Sequence, residues 1–196
     1  MTGIQPVENL EIRTIYDRHD SLLTCFREKV IAEKNSPEDN YKFSNAKWDK
    51  LNLFAIEAII ENDEIVGISG CGWYGNYLRT SMNLYILKPY RSKYPGVKYI
   101  KNGWFDRHIR MAEQWGGDGL FFTVYAYSKK LKALIANHGK KTISLVDKKH
   151  LLYMDKIKEK GEYIFNSVPQ TFFYYPITKT IDEFDPNEFE EVIPKG

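Results

Sequence analysis

Apolar residues recur along the chain with two periods, and the switches between them map the elements. "LEIRTIY" (10–16) alternates apolar and polar and predicts a first strand. Leu22, Phe26 and Val30 then repeat at helical spacing, directly behind Asp20 and Ser21, residue types that cap a helix N-terminus. "NSPEDNYKFSN" (35–45) has no period and reads as a loop, with a short helix expected around "AKWDKL". "LFAIEAII" (53–60) and "IVGISGCGWY" (65–74) are strand-type runs joined by "ENDE", where Asn62-Asp63 suits a tight hairpin turn. "SMNLYILK" (81–88) adds a third run and completes a meander.

From Gly96 the period becomes helical. Val97, Ile100, Trp104, Ile109 (or Met111) and Trp115 form the stripe, with Lys98, Lys101, Arg107 and Arg110 on other faces. Gly103 inside such a helix would cost about 1 kcal/mol relative to alanine. "GGDG" ends it, "LFFTVYAY" (120–127) is a further strand, and "SKKLKALIANHG" (128–139) a short helix closed by Gly139. "TISLV" and "TFFYYPI" are late strand candidates, and residues 147–163 carry no readable period. The order argues for one α/β sandwich over residues 1–180. The segment 181–196, with six acidic residues and two prolines, is expected to trail along the surface.

Composition narrows the class. At 196 residues, 43% hydrophobic and 28% charged, the chain is long enough to bury a core. A net charge of +2 gives no electrostatic footprint for nucleic acid. Cys25 and Cys71 have no metal or disulfide spacing and read as buried thiols in a reducing compartment. Neither a leader pattern at "MTGIQPVENL" nor a membrane-length apolar run is present, so a cytoplasmic setting without a membrane partner is expected. His19, His108, His138 and His150 are spread too widely for a metal motif.

Two glycine-containing stretches invite a phosphate-binding reading. Gly70, Gly72 and Gly75 in "GCGWYG" satisfy G-x-G-x-x-G, but strand-type sequence follows them and no acidic residue stands near positions 90–100. They read as small residues in a bulged or twisted strand. "LKPYRSKYPG" (87–96) has the better context, between a strand and a predicted helix, where successive N–H groups and the helix dipole favour an anion. Arg91, Lys93, Lys98 and Lys101 add positive charge.

Here the chain resembles the GNAT superfamily of acyl-CoA-dependent N-acyltransferases. In that family the fourth strand enters a turn, Arg/Gln-x-x-Gly-x-Gly/Ala, that holds the pyrophosphate of coenzyme A. Arg91-Ser92-Lys93-Tyr94-Pro95-Gly96 matches at Arg91 and Gly96, and Tyr94 stands where the pattern has glycine. Ala112, Gly116, "LFFTVYAY" and Gly139 fall at the family's distances, so the likeness spans about residues 54–140. Ser128 stands where asparagine is usual, Leu131 for alanine, Ile135 for the frequent tyrosine and Lys140 for phenylalanine.

The resemblance implies a mixed, mostly antiparallel central sheet flanked by helices, with strands four and five splayed. It also implies transfer of an acetyl group from acetyl-CoA, as cosubstrate, to a small-molecule or protein amine by direct attack. Arg91, Ser92, Lys93, Tyr94 and Gly96 would hold the pyrophosphate, the backbone of Ile86 and Leu87 the pantetheine arm, and Ser128 would replace the asparagine contact. Glu57, a carboxylate inside an apolar strand, is the candidate base, its other reading being a solvent-facing residue. Tyr85 is a further substrate-facing candidate, or a packing aromatic, and Asn83 a third. Ile135 cannot donate a proton, which leaves the rate to positioning. Tyr94, Pro95, Ile135 and Lys140 equally suit a degenerate GNAT fold used as a binding module. In that case the acidic tail would dock on a protein partner or a second copy.

Overall fold

The computed structural model describes residues 10–33, 37–94, 96–99, 102–126 and 156–193. Among the described residues, eight strands and four helices run β1 (Glu11–Ile15), α1 (Ser21–Ala32), α2 (Pro37–Phe43), α3 (Asn45–Trp48), β2 (Ala55–Glu61), β3 (Glu64–Tyr74), β4 (Tyr77–Ile86), α4 (Trp104–Gln114), β5 (Gly119–Tyr125), β6 (Lys158–Phe165), β7 (Val168–Pro176) and β8 (Val192–Ile193). The strand order is β1-β2-β3-β4-β5-β7-β6-β8, mostly antiparallel, with β4 and β5 parallel. This is the mixed sheet with flanking helices that the resemblance implied. Among the described residues no helix is long and apolar enough to cross a membrane.

The chain divides into two compact units. Residues 1–73 and 81–97 form the first, residues 74–80 and 98–196 the second, so β4 contributes to both.

In the first unit, the hairpin β2–β3 turns at Asn62 (φ 51°) and Asp63 (φ 62°), left-handed positions that Asn and Asp tolerate best among non-glycine residues. Helix α1 starts where the cap residues place it, with the Asp20 carboxylate accepting the Leu22 N–H at 2.8 Å. Its buried Leu23, Phe26 and Val30 pack on Ile15, Ile56, Ala58, Ile60, Ile65 and Ile68. Each such side chain contributes about 1.5–3 kcal/mol. The segment 35–45, expected as a loop, contains α2, because Phe43 is buried against Phe26 and Trp48. Gly70 and Gly72 do lie within β3, as small residues. A Cβ on Gly72 would run into the Asn52 carbonyl, so the glycine lets that loop lie against the strand.

The second unit is built on aromatic rings. Phe121, Phe165, Phe172, Tyr174, Phe184 and Phe189 pack with Tyr74, Tyr77 and Val192. Two expectations are corrected here. Residues 181–193 do not trail over the surface: Phe184 is fully buried, Phe189 and Val192 are buried, and β8 pairs with β6 through Ile164↔Ile193 and Phe165↔Val192. The acids occupy the outward positions between these anchors. β6 emerges from the unreadable stretch, its period broken by a bulge between Glu159 and Gly161, where Gly161 takes φ 136°. Of the two cysteines only Cys71 is buried, its thiol pushed up to about 12 by burial, whereas Cys25 is exposed. "TISLV" and "SKKLKALIANHG" lie outside the described residues.

Candidate functional site

The β4–β5 ladder consists of Tyr77↔Gly119, Leu78↔Leu120 and Arg79↔Phe121, and β4 continues beyond it to Ile86. Along that continuation Ser81 (φ 60°) and Asn83 (φ 48°) are left-handed, a strained geometry for serine. The Asn83 side-chain amide donates to the Lys42 carbonyl at 2.9 Å, which gives that residue a reason to stay there.

After β4 the chain enters a short 3-10 turn, Lys88–Tyr90, preceded by Leu87. The Leu87 N–H donates to the Val66 carbonyl at 2.9 Å, and the Ile86 carbonyl accepts Arg91 Nε at 3.0 Å. Arg91 is exposed, with its guanidinium 5.0 Å from the Tyr85 ring centroid. Ser92 and Lys93 are exposed as well. The N–H groups of Lys93 and Tyr94 both donate to the Tyr90 carbonyl at 3.1 Å. Gly96 takes φ 70°, the conformation for which glycine is suited. Ser128 lies outside the described residues, as do Pro95 and Ile135.

Tyr94, the residue in place of glycine, is buried, and its hydroxyl donates to Glu61 Oε2 at 2.5 Å. Glu61 Oε1 pairs with Lys93 Nζ at 2.7 Å. The Lys93 and Tyr94 bonds hold the Glu61 carboxyl below the usual carboxylate range, while burial and that carboxylate push the Tyr94 phenol up. The end of the β2–β3 hairpin thus holds the turn by two neighbouring side chains.

Helix α4 does not begin at Gly96. Val97–Tyr99 form a 3-10 turn, and Gly103 is the N-cap of a helix starting at Trp104, so this glycine lies outside the helix interior. Asp106 receives the Asn102 N–H at 2.8 Å and pairs with Arg110 at 2.6 Å, which places an acid at the helix start. Trp115, assigned to the apolar stripe, is instead the exposed C-cap.

Glu57 does not face solvent. It is 1% exposed on β2, opposite Thr14 and Ser69, and its carboxylate accepts the Thr14 hydroxyl at 2.9 Å. Both faces of β2 are covered, which is why alternation alone misplaced it. Tyr85 packs edge-on against Phe43 and donates its hydroxyl to Glu33 Oε2 at 2.8 Å. Glu33 Oε1 also accepts the Lys88 N–H at 2.8 Å. Sequence reasoning missed both Glu33 and Glu61, since each lies far along the chain from the turn it binds.

His108 is fully buried on α4, its Nδ1 2.6 Å from the Thr80 hydroxyl. Burial, with Arg107 and Lys98 nearby, pushes its pKa down to about 3, so it stays neutral. Lys98 Nζ sits 4.5 Å over the Phe122 ring, and burial lowers its pKa to about 8. Among the described residues no group of three or more His, Cys, Asp or Glu could hold a metal ion.

No family model matches the chain, and no curated protein matches it in sequence. Solved structures match it in fold. A putative acetyltransferase of the GNAT family from Desulfovibrio desulfuricans is 11% identical with a TM-score of 0.55, over 86% of this chain and 99% of that one. The ribosomal-protein-S18-alanine N-acetyltransferase of Escherichia coli is 11% identical with a TM-score of 0.52, over 89% and 99%. A Bacillus subtilis acetyltransferase in complex with CoA is 12% identical with a TM-score of 0.51, over 86% and 99%. The chain has the GNAT fold.

Proposed function

We propose that this protein is an N-acetyltransferase that moves an acetyl group from acetyl-CoA to an amine by direct attack. The observation that carries the reading is the exit of β4: the strand outruns its three-pair ladder with β5 and enters a turn with Arg91 exposed and Gly96 left-handed. In this reading Arg91, Ser92, Lys93 and Gly96 bind the pyrophosphate and the β4 backbone at Ile86 binds the pantetheine arm. Tyr94 contributes by anchoring the turn, its ring directed to Glu61 and its N–H to the Tyr90 carbonyl. Ser128 takes the place of the family's asparagine. The solved Bacillus subtilis neighbour carries CoA, which supports a coenzyme A ligand for this fold.

The attacking amine must lose a proton, and two carboxylates are candidates. Glu57 is buried beside Thr14, and Glu33 is linked to the Tyr85 hydroxyl. A cytoplasmic setting belongs to the same reading, as does an acceptor amine on a small molecule or a protein.

A second reading, a GNAT fold kept for binding alone, has one observation in its favour. The N–H groups of Lys93 and Tyr94 are engaged by Tyr90, and their side chains by Glu61. Calorimetric titration with acetyl-CoA separates the two. The enzyme reading expects binding that Arg91→Ala weakens about tenfold, the effect of losing one charged hydrogen-bonding group. Absence of binding at millimolar acetyl-CoA removes it. An unchanged pH–rate profile in Glu57→Gln removes Glu57 as the base, and the same result in Glu33→Gln removes Glu33.

A further inference from the structure

Arg79 holds a positive charge that, among the described residues, no carboxylate neutralises. It is half-buried on β4 at the last pair of the β4–β5 ladder, Arg79↔Phe121, and the residues that hold it belong to the second unit. Its guanidinium lies 4.7 Å from the Phe165 ring centroid and 5.9 Å from that of Tyr74. One terminal nitrogen donates to the Thr123 hydroxyl at 3.1 Å and the other to the Tyr74 hydroxyl at 3.4 Å. Phe165 is fully buried, and its carbonyl accepts the Gln170 side-chain amide at 2.9 Å, so the ring beside the guanidinium is itself fixed. Elsewhere in this unit Arg110 pairs with Asp106 at 2.6 Å. Arg79 is held instead by rings and hydroxyls, which leave its charge standing.

The arrangement presents donors and no acceptor. A guanidinium has five N–H groups and accepts nothing. Two of the five are taken by the hydroxyls, which leaves three without a protein acceptor among the described residues. The hydroxyls add donors for a separate reason. Each spends a lone pair on the guanidinium and must place its own proton elsewhere, and among the described residues neither proton has an acceptor. Desolvating part of a cation without a counter-charge costs free energy that a bound anion recovers.

The charge selects the anion. One cation balances one negative charge, whereas a phosphate monoester carries about −1.5 to −2 at neutral pH. The unpaired N–H groups of a guanidinium match the two oxygens of a carboxylate, and hydroxyl protons complete the set. We propose that Arg79, with Thr123 and Tyr74, binds the carboxylate of a small-molecule ligand. Resting on the acyltransfer reading, this names the acceptor class: an amino acid, acetylated on its amine while Arg79 holds its carboxylate. The amine nitrogen bonds the acetyl carbon, the thioester C–S bond breaks, and the proton lost by the amine ends on the departing CoA thiol.

The first test reads the site in the full chain without acyl-CoA. In ¹H–¹⁵N spectra the Arg79 Nε–H signal, assigned by its loss in Arg79→Lys, is followed during titration with sodium acetate. A saturable shift is expected, half-complete at about 1–50 mM, with a far smaller one from sodium chloride at equal ionic strength. Thr123→Val should weaken acetate about three- to tenfold. A shift no larger than that with chloride overturns the proposal. So does inorganic phosphate binding more tightly than acetate, or an acetate affinity that neither Thr123→Val nor Tyr74→Phe changes. The second test follows CoA release from acetyl-CoA with amino acids and their methyl esters as acceptors. The acids should be preferred at least about tenfold in kcat/KM, and Arg79→Gln should remove the preference by raising KM for the acids. Esters used as well as acids overturn the acceptor class. Acetate binding with no turnover of any amine removes the acyltransfer reading and leaves the carboxylate site standing.

Discussion

Replacing Phe184 by alanine tests whether the acidic C-terminal segment is part of the core. The side chain is fully buried, stacked on Tyr174 with centroids 4.4 Å apart and planes 8° from parallel. Tyr77, Phe121 and Phe189 surround it at 5.0, 5.6 and 5.9 Å. Removing a phenyl ring from such a site costs about 3–5 kcal/mol, counting both the lost transfer energy and the cavity left behind. Of that, about 0.5–1.5 kcal/mol belongs to the aromatic pair with Tyr174. With a urea dependence of about 2 kcal/mol per molar, the unfolding midpoint should fall by about 1.5–2.5 M. Phe184→Leu, which refills part of the space, should cost under about 1.5 kcal/mol. The assay is urea unfolding followed by tyrosine and tryptophan fluorescence, with exposed Glu190→Ala as a control expected to shift stability by no more than about 0.5 kcal/mol. If Phe184→Ala behaves like that control, residues 181–193 do not hold the second unit together and the packing argument is wrong.

Acid should weaken the link between the hairpin and the turn. The Glu61 pKa is lowered in the folded state, so its contribution is fully present above the ordinary value of 4.5 and is lost as pH falls through the folded value. Urea midpoints of the native protein and Glu61→Gln should therefore differ most near neutrality and converge on acidification; a constant difference across pH contradicts the linkage. Lys98, lowered to about 8 by burial, should react with an acetylating ester half-maximally near pH 8, whereas exposed lysines keep gaining reactivity up to about 10.4. Mass-spectrometric mapping reads this directly, and a Lys98 profile identical to the exposed lysines would refute it.

The meander β2–β3–β4 was legible because one face of each strand carries apolar residues and Asn62-Asp63 marks the turn. Helix α1 was legible because Asp20 is a cap whose side-chain bond is local. The start of α4 was not. Helical spacing from Val97 onward is shared by a 3-10 turn, and only the fold distinguishes Gly103 as a cap from Gly103 as an interior residue. Glu57 was ambiguous for a different reason: alternation assigns a face, but both faces of β2 are buried. At the turn, Arg91 and Gly96 could be found by spacing, whereas Glu33 and Glu61 reach it from elsewhere in the first unit. The acidic appearance of residues 181–196 hid three apolar anchors, Phe184, Phe189 and Val192.

Those three anchors bear on how the polypeptide is made. The first unit uses residues up to 73 and 81–97, so all of its sequence has been translated once residue 97 is made. The aromatic core of the second unit needs Phe184, Phe189 and Val192, which are made after every other residue of that core. At about 5–20 residues per second, Phe121 waits several seconds with its face uncovered. A premature stop before codon 184 would release an intact first unit attached to an open aromatic surface, a substrate for chaperones and proteases. For this chain the segment carrying Phe184, Phe189 and Val192 is a closing step of folding.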